Sequence, residues 1–159
     1  MPATTLKKFL DENRVRYVSI QHSPAYTAQE TAAVAHIPGR ELAKSVMFFA
    51  DGKMAMAVLP ATRMMNLDSL KSLVGADHLI LATEAEFRSR FGDCEAGAMP
   101  PFGNLYDMKV FVDQSLAEDE QIAFNAGSHA ELIQMDYADF ERLAQPIVGD
   151  FAYRHPAHA

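Results

Sequence analysis

The sequence predicts helices packed on a mixed β-sheet, as an α/β or α+β sandwich or partial barrel. Three features carry this reading. Asp51-Gly52 stands between two apolar runs, "KSVMFFA" and "KMAMAVLP", which is a strong hairpin signal. Thr27 with Glu30, and Thr83 with Glu86, form the capping-box pattern that opens a helix. The second half then holds short β-rich runs separated by turn residues.

In chain order, "TTLKKFLDENRV" spaces Leu6, Phe9 and Leu10 for one face of a helix. "VRYVSIQH" turns strand-like through Val15, Tyr17, Val18 and Ile20. "TAQETAAVAH" is a helix stopped at Pro38-Gly39, and the hairpin follows. "NLDSLKSLVG" is a short helix ending at Gly75. "DHLILAT" is a strand, and "EAEFRSRF" a helix closed by Gly92. "DMKVFVD", "QIAFNAG" and "AELIQMD" supply three more strands, and "YADFERLAQ" a last helix. No repeat or linker divides the chain, so residues 1–145 read as a single domain and 146–159 as a loosely ordered tail.

The 159 residues suffice to bury a core without metals or disulfides. Hydrophobic content of 49% and charged content of 22% are those of a globular protein. The single cysteine, Cys94, excludes an internal disulfide and fits a reducing compartment. With no membrane-length apolar run and no signal-peptide pattern, the expected location is the cytoplasm. A net charge of −7 argues against broad nucleic-acid binding. The charge is lopsided: residues 1–75 hold nine Lys/Arg and six Asp/Glu, whereas residues 76–159 hold five and fifteen. The mildly basic first half can face a polyanion end.

Phosphate-loop, dinucleotide and nucleophile-elbow motifs are absent. The six histidines are scattered, with no zinc-like spacing, and neither metal nor cofactor is expected. Residues 95–103, "EAGAMPPFG", form a stiff loop in which glycine uncovers main-chain N–H groups and proline holds them in place. Lys44 lies within the apolar strand "LAKSVMFF", where helix-surface decoration does not account for it. It is either a strand-edge lysine snorkelling to water or an anchor for an anion. His129 follows a second small-residue turn, Ala126-Gly127-Ser128. Cys94 is either a small packed residue or, with His129, a nucleophile.

Together these segments resemble the YbaK/prolyl-tRNA-synthetase-associated domain family of aminoacyl-tRNA trans-editing proteins, over about residues 15–144. "QHSPAYTAQETAAVAHIP" is similar to the family's His-x-Pro-Ala opening and following helix. "ELAKSVMFF" is similar to the strand carrying its functional lysine, which falls on Lys44. "AGAMPPFG" is similar to its G-x-x-x-P-x-G loop, with Gly97, Pro101 and Gly103 on the motif positions. "FNAGSHAELIQMDYADF" is similar to the closing segment. Many members close with Gly-Gly-x-Arg where this chain has Ala-Gly-Ser-His, closer to the alanyl-editing branch.

The resemblance implies a curved, mixed, largely antiparallel sheet with helices around it. It also implies a free-standing deacylase that hydrolyses a small amino acid, such as Ala, Cys or Ser, from mischarged tRNA, above all tRNA for proline. A prolyl-tRNA synthetase is the candidate partner. Lys44, Gly97 and His129 take the catalytic positions. His22, Tyr26, Thr27, Ala98, Met99, Pro100, Pro101, Phe102, Gly103, Gly127 and Ser128 would border the substrate, with Ala96, Ala98 and Ala126 narrowing the pocket. Main-chain N–H groups around Gly97 and Gly127 are the expected donors to a developing oxyanion. The alternative is a non-catalytic module of the same fold that binds a tRNA end or nucleotide.

Overall fold

The computed structural model describes residues 4–25, 27–92, 94–95 and 97–154. Helix α1 (Thr4–Glu12) buries Leu6 and Leu10 completely, on the face their spacing predicts. Strand β1 (Tyr17–Gln21) leads to α2 (Ala28–Ala35). The Thr27 side chain accepts the Glu30 N–H at 3.1 Å, and its hydroxyl donates to the Glu30 carboxylate. The helix ends before Pro38-Gly39, because His36 turns left-handed and its N–H closes the last turn.

Strands β2 (Leu42–Ala50) and β3 (Lys53–Pro60) form the expected hairpin. Asp51 and Gly52 both take positive φ, 50° and 82°, the combination that twists a two-residue turn correctly. The short β4 (Arg63–Met65) precedes α3 (Leu67–Val74), capped by Asn66 and closed by a left-handed Gly75. Next come β5 (Leu79–Leu81) and α4 (Glu84–Arg88), whose capping box at Thr83 and Glu86 is complete. Gly92 does not close this helix in the left-handed conformation; a 3-10 turn at Ser89–Phe91 does, with Gly92 at φ −60°. The remaining elements are β6 (Val110–Asp113), α5 (Gln114–Ala117), β7 (Gln121–Asn125), β8 (Glu131–Asp136), α6 (Tyr137–Ala144), β9 (Ile147–Gly149) and β10 (Ala152–Arg154).

The main sheet runs β1-β8-β7-β2-β3-β6-β9, with β5 also on β2; β10 and β4 form a separate pair. Its long pairings are antiparallel, while β2–β7, β3–β6 and β6–β9 are short and parallel. This is the mixed sheet the sequence predicts. On one face a core forms around Phe102, whose ring meets Phe9, Phe124 and Phe140 edge-on at 5.4–6.0 Å between centroids. Each such pair adds about 0.5–1.5 kcal/mol beyond its buried area. A second cluster, with Phe48, Leu70, Phe111 and Phe151, fills the other side.

Helix α1 is fastened to the sheet by a buried carboxylate. Glu131 accepts the Ser19 hydroxyl and pairs with Lys7 at 2.6 Å. Burial alone would push this carboxyl up, but the bonds from Lys7 and Ser19 outweigh it and hold it below the usual range. The clamp therefore stabilises above the unfolded carboxyl pKa and is lost as pH falls through the folded one.

Of the tail expected to be loosely ordered, residues 147–149 and 152–154 form β9 and β10, and residues 155–159 lie outside the described residues. Asp113, fully buried, accepts the N–H groups of Phe151 and Ala152 at 2.9 Å each through Oδ1. Its Oδ2 accepts the Ser115 N–H and hydroxyl. One carboxylate thus pins residues 151–152 to the end of β6, and Phe151 is buried as a result. Asp113→Ala would orphan three main-chain donors, each costing about 1–3 kcal/mol when buried. Denaturant unfolding should show a loss of at least about 3 kcal/mol; a loss below about 1 kcal/mol would mean that the C-terminal strands do not depend on this pin.

Candidate active site

The site begins with a break in strand pairing. Strand β2 is parallel to β7 only at Leu42–Ala123 and Ala43–Phe124, and meets β5 again only from Phe48. Continuing the first register would set Lys44 against Asn125, but there the strands part. In the hairpin, residues 44, 46, 48 and 50 turn their N–H and C=O toward β3, so 43, 45 and 47 turn theirs outward. Met47 accordingly accepts the Ala82 N–H across that outer edge at 3.0 Å. The main-chain N–H and C=O of Ser45 therefore face the gap with no strand opposite them. A cavity of about 200 Å³ fills it, lined by Thr27, Leu42, Ala43, Lys44, Ser45, Val46, Gly97, Met99 and Asn125.

Lys44 is half-buried at this gap, and burial lowers its pKa from the ordinary lysine value. Among the described residues no carboxylate lies within ion-pair distance of its ammonium. A charge held partly out of water without a partner costs stability in the protonated form. That cost is relieved when the lysine deprotonates or when an anion arrives. A lysine snorkelling freely into water would not have its pKa lowered by burial in this way.

The loop that carries Gly97 and Met99 and the 126–129 turn are bonded to each other. Glu95 N–H donates to Gly127 C=O at 2.7 Å, Gly127 N–H to Ala98 C=O at 2.9 Å, and His129 N–H to the Glu95 carboxylate at 2.7 Å. Gly127 thus spends its N–H on the loop and is not an oxyanion donor, which corrects the sequence reading. Gly97 N–H has no partner among the described residues. Its φ of +82° lies in the region that favours glycine, and a Cβ there would stand 3.5 Å from the His129 ring. His129 therefore lies beside Gly97.

The other expected site residues divide. Thr27 and Met99 line the cavity. His22 and Ala25 bond by their N–H groups to Ala130 and His129, which hangs the His-Ser-Pro-Ala segment on the turn and positions Thr27 without putting His22 on the cavity wall. Ser128 accepts the Ala130 N–H, a turn-making bond. Ala98, Pro100, Pro101, Phe102 and Gly103 are buried, and Ala126 with them. Phe102 is the centre of the aromatic core, and a Cβ on Gly103 would come within 2.9 Å of Val110. These residues anchor the loop and are not in the lining of this cavity. Tyr26 and Ala96 lie outside the described residues. Cys94 lines a different hollow, with Phe87 and Phe91.

Two wall residues escaped the sequence reading, Ser45 and Asn125. The side-chain oxygens Ser45 Oγ and Asn125 Oδ1 are buried without a hydrogen-bond partner among the described residues. A larger hollow of about 610 Å³ lies at the hairpin end, with Asp51, Lys53, Asp107 and Lys109 in its lining. None of the buried, unpartnered side-chain oxygens found among the described residues lies on its lining.

A sequence profile of the aminoacyl-tRNA editing domain matches residues 22–143, which span every wall of the smaller cavity. The chain belongs to this family. It is 36% identical over 97 residues to the multifunctional Ser/Thr-tRNA deacylase ProXp-y of Escherichia coli (strain K12), a match covering 60% of this chain and 58% of that protein. The chain thus spans little more than half the length of the ProXp-y relatives. It is 24% identical over 143 residues to the prolyl-tRNA editing protein ProX of Acetoanaerobium sticklandii, covering 86% of each. The fold matches the crystal structure of a candidate trans-editing enzyme for prolyl tRNA synthetase, with TM-score 0.81 and 21% identity, over 95% of this chain and 96% of that one.

Backbone geometry at Gly97 gives a direct test. Gly97→Val forces a β-branched residue to positive φ, which costs an L-residue roughly 1–2 kcal/mol or more. Gly92→Ala, at φ −60° with open space around the new Cβ, should be neutral. The valine variant should melt lower and shift the His129 ring resonances, and equal melting of the two variants would refute the assigned loop geometry.

Proposed function

We propose that this chain hydrolyses the ester joining a small mismatched amino acid, in the class of Ala, Cys and Ser, to the 3′ end of tRNA for proline, acting in trans. Family membership supports the reaction class, and the names of the ProXp-y and ProX relatives support a mischarged, proline-linked tRNA. The observation that carries the reading is Lys44, a half-buried ammonium without a carboxylate partner on the wall of a cavity of about 200 Å³. A phosphate or ribose oxygen at the tRNA terminus is the anion-side partner it lacks. A prolyl-tRNA synthetase delivering that tRNA is the partner this reading favours.

An aminoacyl ester is already activated, so oriented water suffices as nucleophile, with the vicinal ribose hydroxyl able to act through it. Water adds to the carbonyl carbon, the oxyanion forms and collapses, and the ribose oxygen leaves with a proton while the amino acid is released. The Gly97 and Ser45 main-chain N–H groups, both uncommitted at the cavity, are the donors to that oxyanion. Each such donor is worth about 2.7–4 kcal/mol where measured in other enzymes. Lys44 supplies position and a fixed charge, and a half-desolvated charge acts more strongly than one in water.

Lys44→Ala should leave the melting curve intact and lower deacylation of mischarged tRNA by on the order of 100-fold or more. Lys44→Arg should also be impaired, since a broad planar fork replaces a compact ammonium. Binding of a non-hydrolysable aminoacyl 3′ end should weaken as pH rises through the depressed Lys44 pKa, at lower pH than for an ordinary lysine, because the ammonium is the binding form. Parent rates in both variants would remove Lys44 from the site. Tight binding of the ester with no release of amino acid would instead identify a binding module.

A further inference from the structure

We infer that Met99 is a specificity-determining residue: it is the partition between the aminoacyl cavity and a second hollow, and it sets the longest side chain the cavity accepts. This rests on the deacylase reading above. The motivating observation is that Met99 belongs to two linings at once. It borders the cavity of about 200 Å³ with Lys44, Gly97 and Asn125, and a hollow of about 310 Å³ with Phe87, Phe91 and Cys94. Among the described residues no other borders both.

The partition is fixed at its backbone. Ala98, the residue before it, donates its N–H to Glu95 C=O at 3.0 Å and accepts the Gly127 N–H at 2.9 Å. Pro100, the residue after it, disfavours helical backbone at Met99 and keeps it extended. With both flanks held, the side chain of Met99 decides how far the cavity reaches. Met99 is only 6% exposed and belongs to the first core cluster, against which Phe87 and Cys94 also pack. The hollow behind it has a stiff aromatic wall. Phe91 is buried, with its ring 4.3 Å from that of Tyr106 between centroids and edge-on to Phe87 at 6.5 Å.

The cavity must hold the ester carbon and the α-ammonium as well as the amino-acid side chain, which leaves room for a short one. Its polar walls, Thr27, Lys44 and Asn125, are poor neighbours for an apolar chain. Leu42, Ala43 and Val46 are held in a paired strand and cannot yield. A longer substrate side chain therefore competes with Met99 for space, and forcing two side chains into one volume is destabilising. Methionine is unbranched and adaptable, so rejection grows with length rather than falling at a single methylene. Shortening Met99 would open the cavity into the hollow, where Phe87 and Phe91 offer apolar surface to an unbranched side chain.

The test is the ratio of kcat/KM for methionyl-charged tRNA for proline over the seryl- and alanyl-charged forms. It is measured on the whole chain and on Met99→Ala, Met99→Val and Met99→Leu, with melting curves for each. The parent should favour the small esters by about 100-fold or more. Met99→Ala and Met99→Val should raise the methionyl ratio by about tenfold or more, and Met99→Leu, close in volume, should hold it. The valine variant removes less of the core and carries the test if the alanine variant melts below the assay temperature. Methionyl-adenosine joined through an amide should shift the Phe91 and Cys94 amide resonances in the shortened variants and not in the parent. An unchanged ratio in every variant overturns the inference and leaves the deacylase reading in place. So does a parent that hydrolyses the methionyl ester as fast as the small ones, or a raised ratio without shifts at Phe91 and Cys94, since the loop would then only have loosened. No release of amino acid from any ester overturns the deacylase reading and this inference with it.

Discussion

The two-residue length of the β2–β7 pairing is the constraint on which the site depends. Had the parallel ladder continued, Lys44 and Asn125 would be neighbours in a closed sheet and the Ser45 main chain would be bonded to β7. Because it stops at Ala43 and Phe124, an edge of β2 stays open in the middle of the molecule. Open edges are normally a liability, blunted by charge or covered by another element. Here the edge is flanked by β5 beyond Phe48 and faced by Thr27, Gly97, Met99 and Asn125, so it forms a cavity with unpaired main-chain groups in its wall.

The gap stays open because its walls are anchored elsewhere. Phe102 and the buried prolines fix the loop to the aromatic core, and the bonds of Glu95 and Gly127 lock loop to turn. The turn in turn follows from β8, whose first residue, Glu131, is tied to α1 and β1 through Lys7 and Ser19. The rigidity is in the supports, and the polar groups at the gap are left unsatisfied. Such an arrangement suits a site that must offer preformed donors without reorganising when charge develops.

What the sequence made legible is what is local. The Asp51-Gly52 hairpin and the Thr83–Glu86 capping box depend on residues within a few positions of one another, and both are present as read. Lys44 stood out because a lysine in an apolar strand violates a local pattern. The strands β4, β9 and β10 are three residues each and owe their order to tertiary contacts, above all Asp113, so no periodicity announces them. In the Gly-Pro loop, Phe102 and Gly103 are packing residues, and nothing in "MPPFG" says which way a loop faces. Ser45 and Asn125 are unremarkable in their own segments. Only the place where two distant strands separate brings them to one cavity.

The central claim, that the gap beside β2 receives the aminoacyl end, is tested most directly by amide NMR. An aminoacyl-adenosine joined through an amide, which cannot be hydrolysed, would be titrated into the ¹⁵N-labelled chain. The account predicts shifts concentrated at Lys44, Ser45, Gly97, Met99 and Asn125. Shifts centred instead on Lys53, Lys109 and the larger hollow at the hairpin end, with Ser45 and Gly97 unmoved, would contradict it.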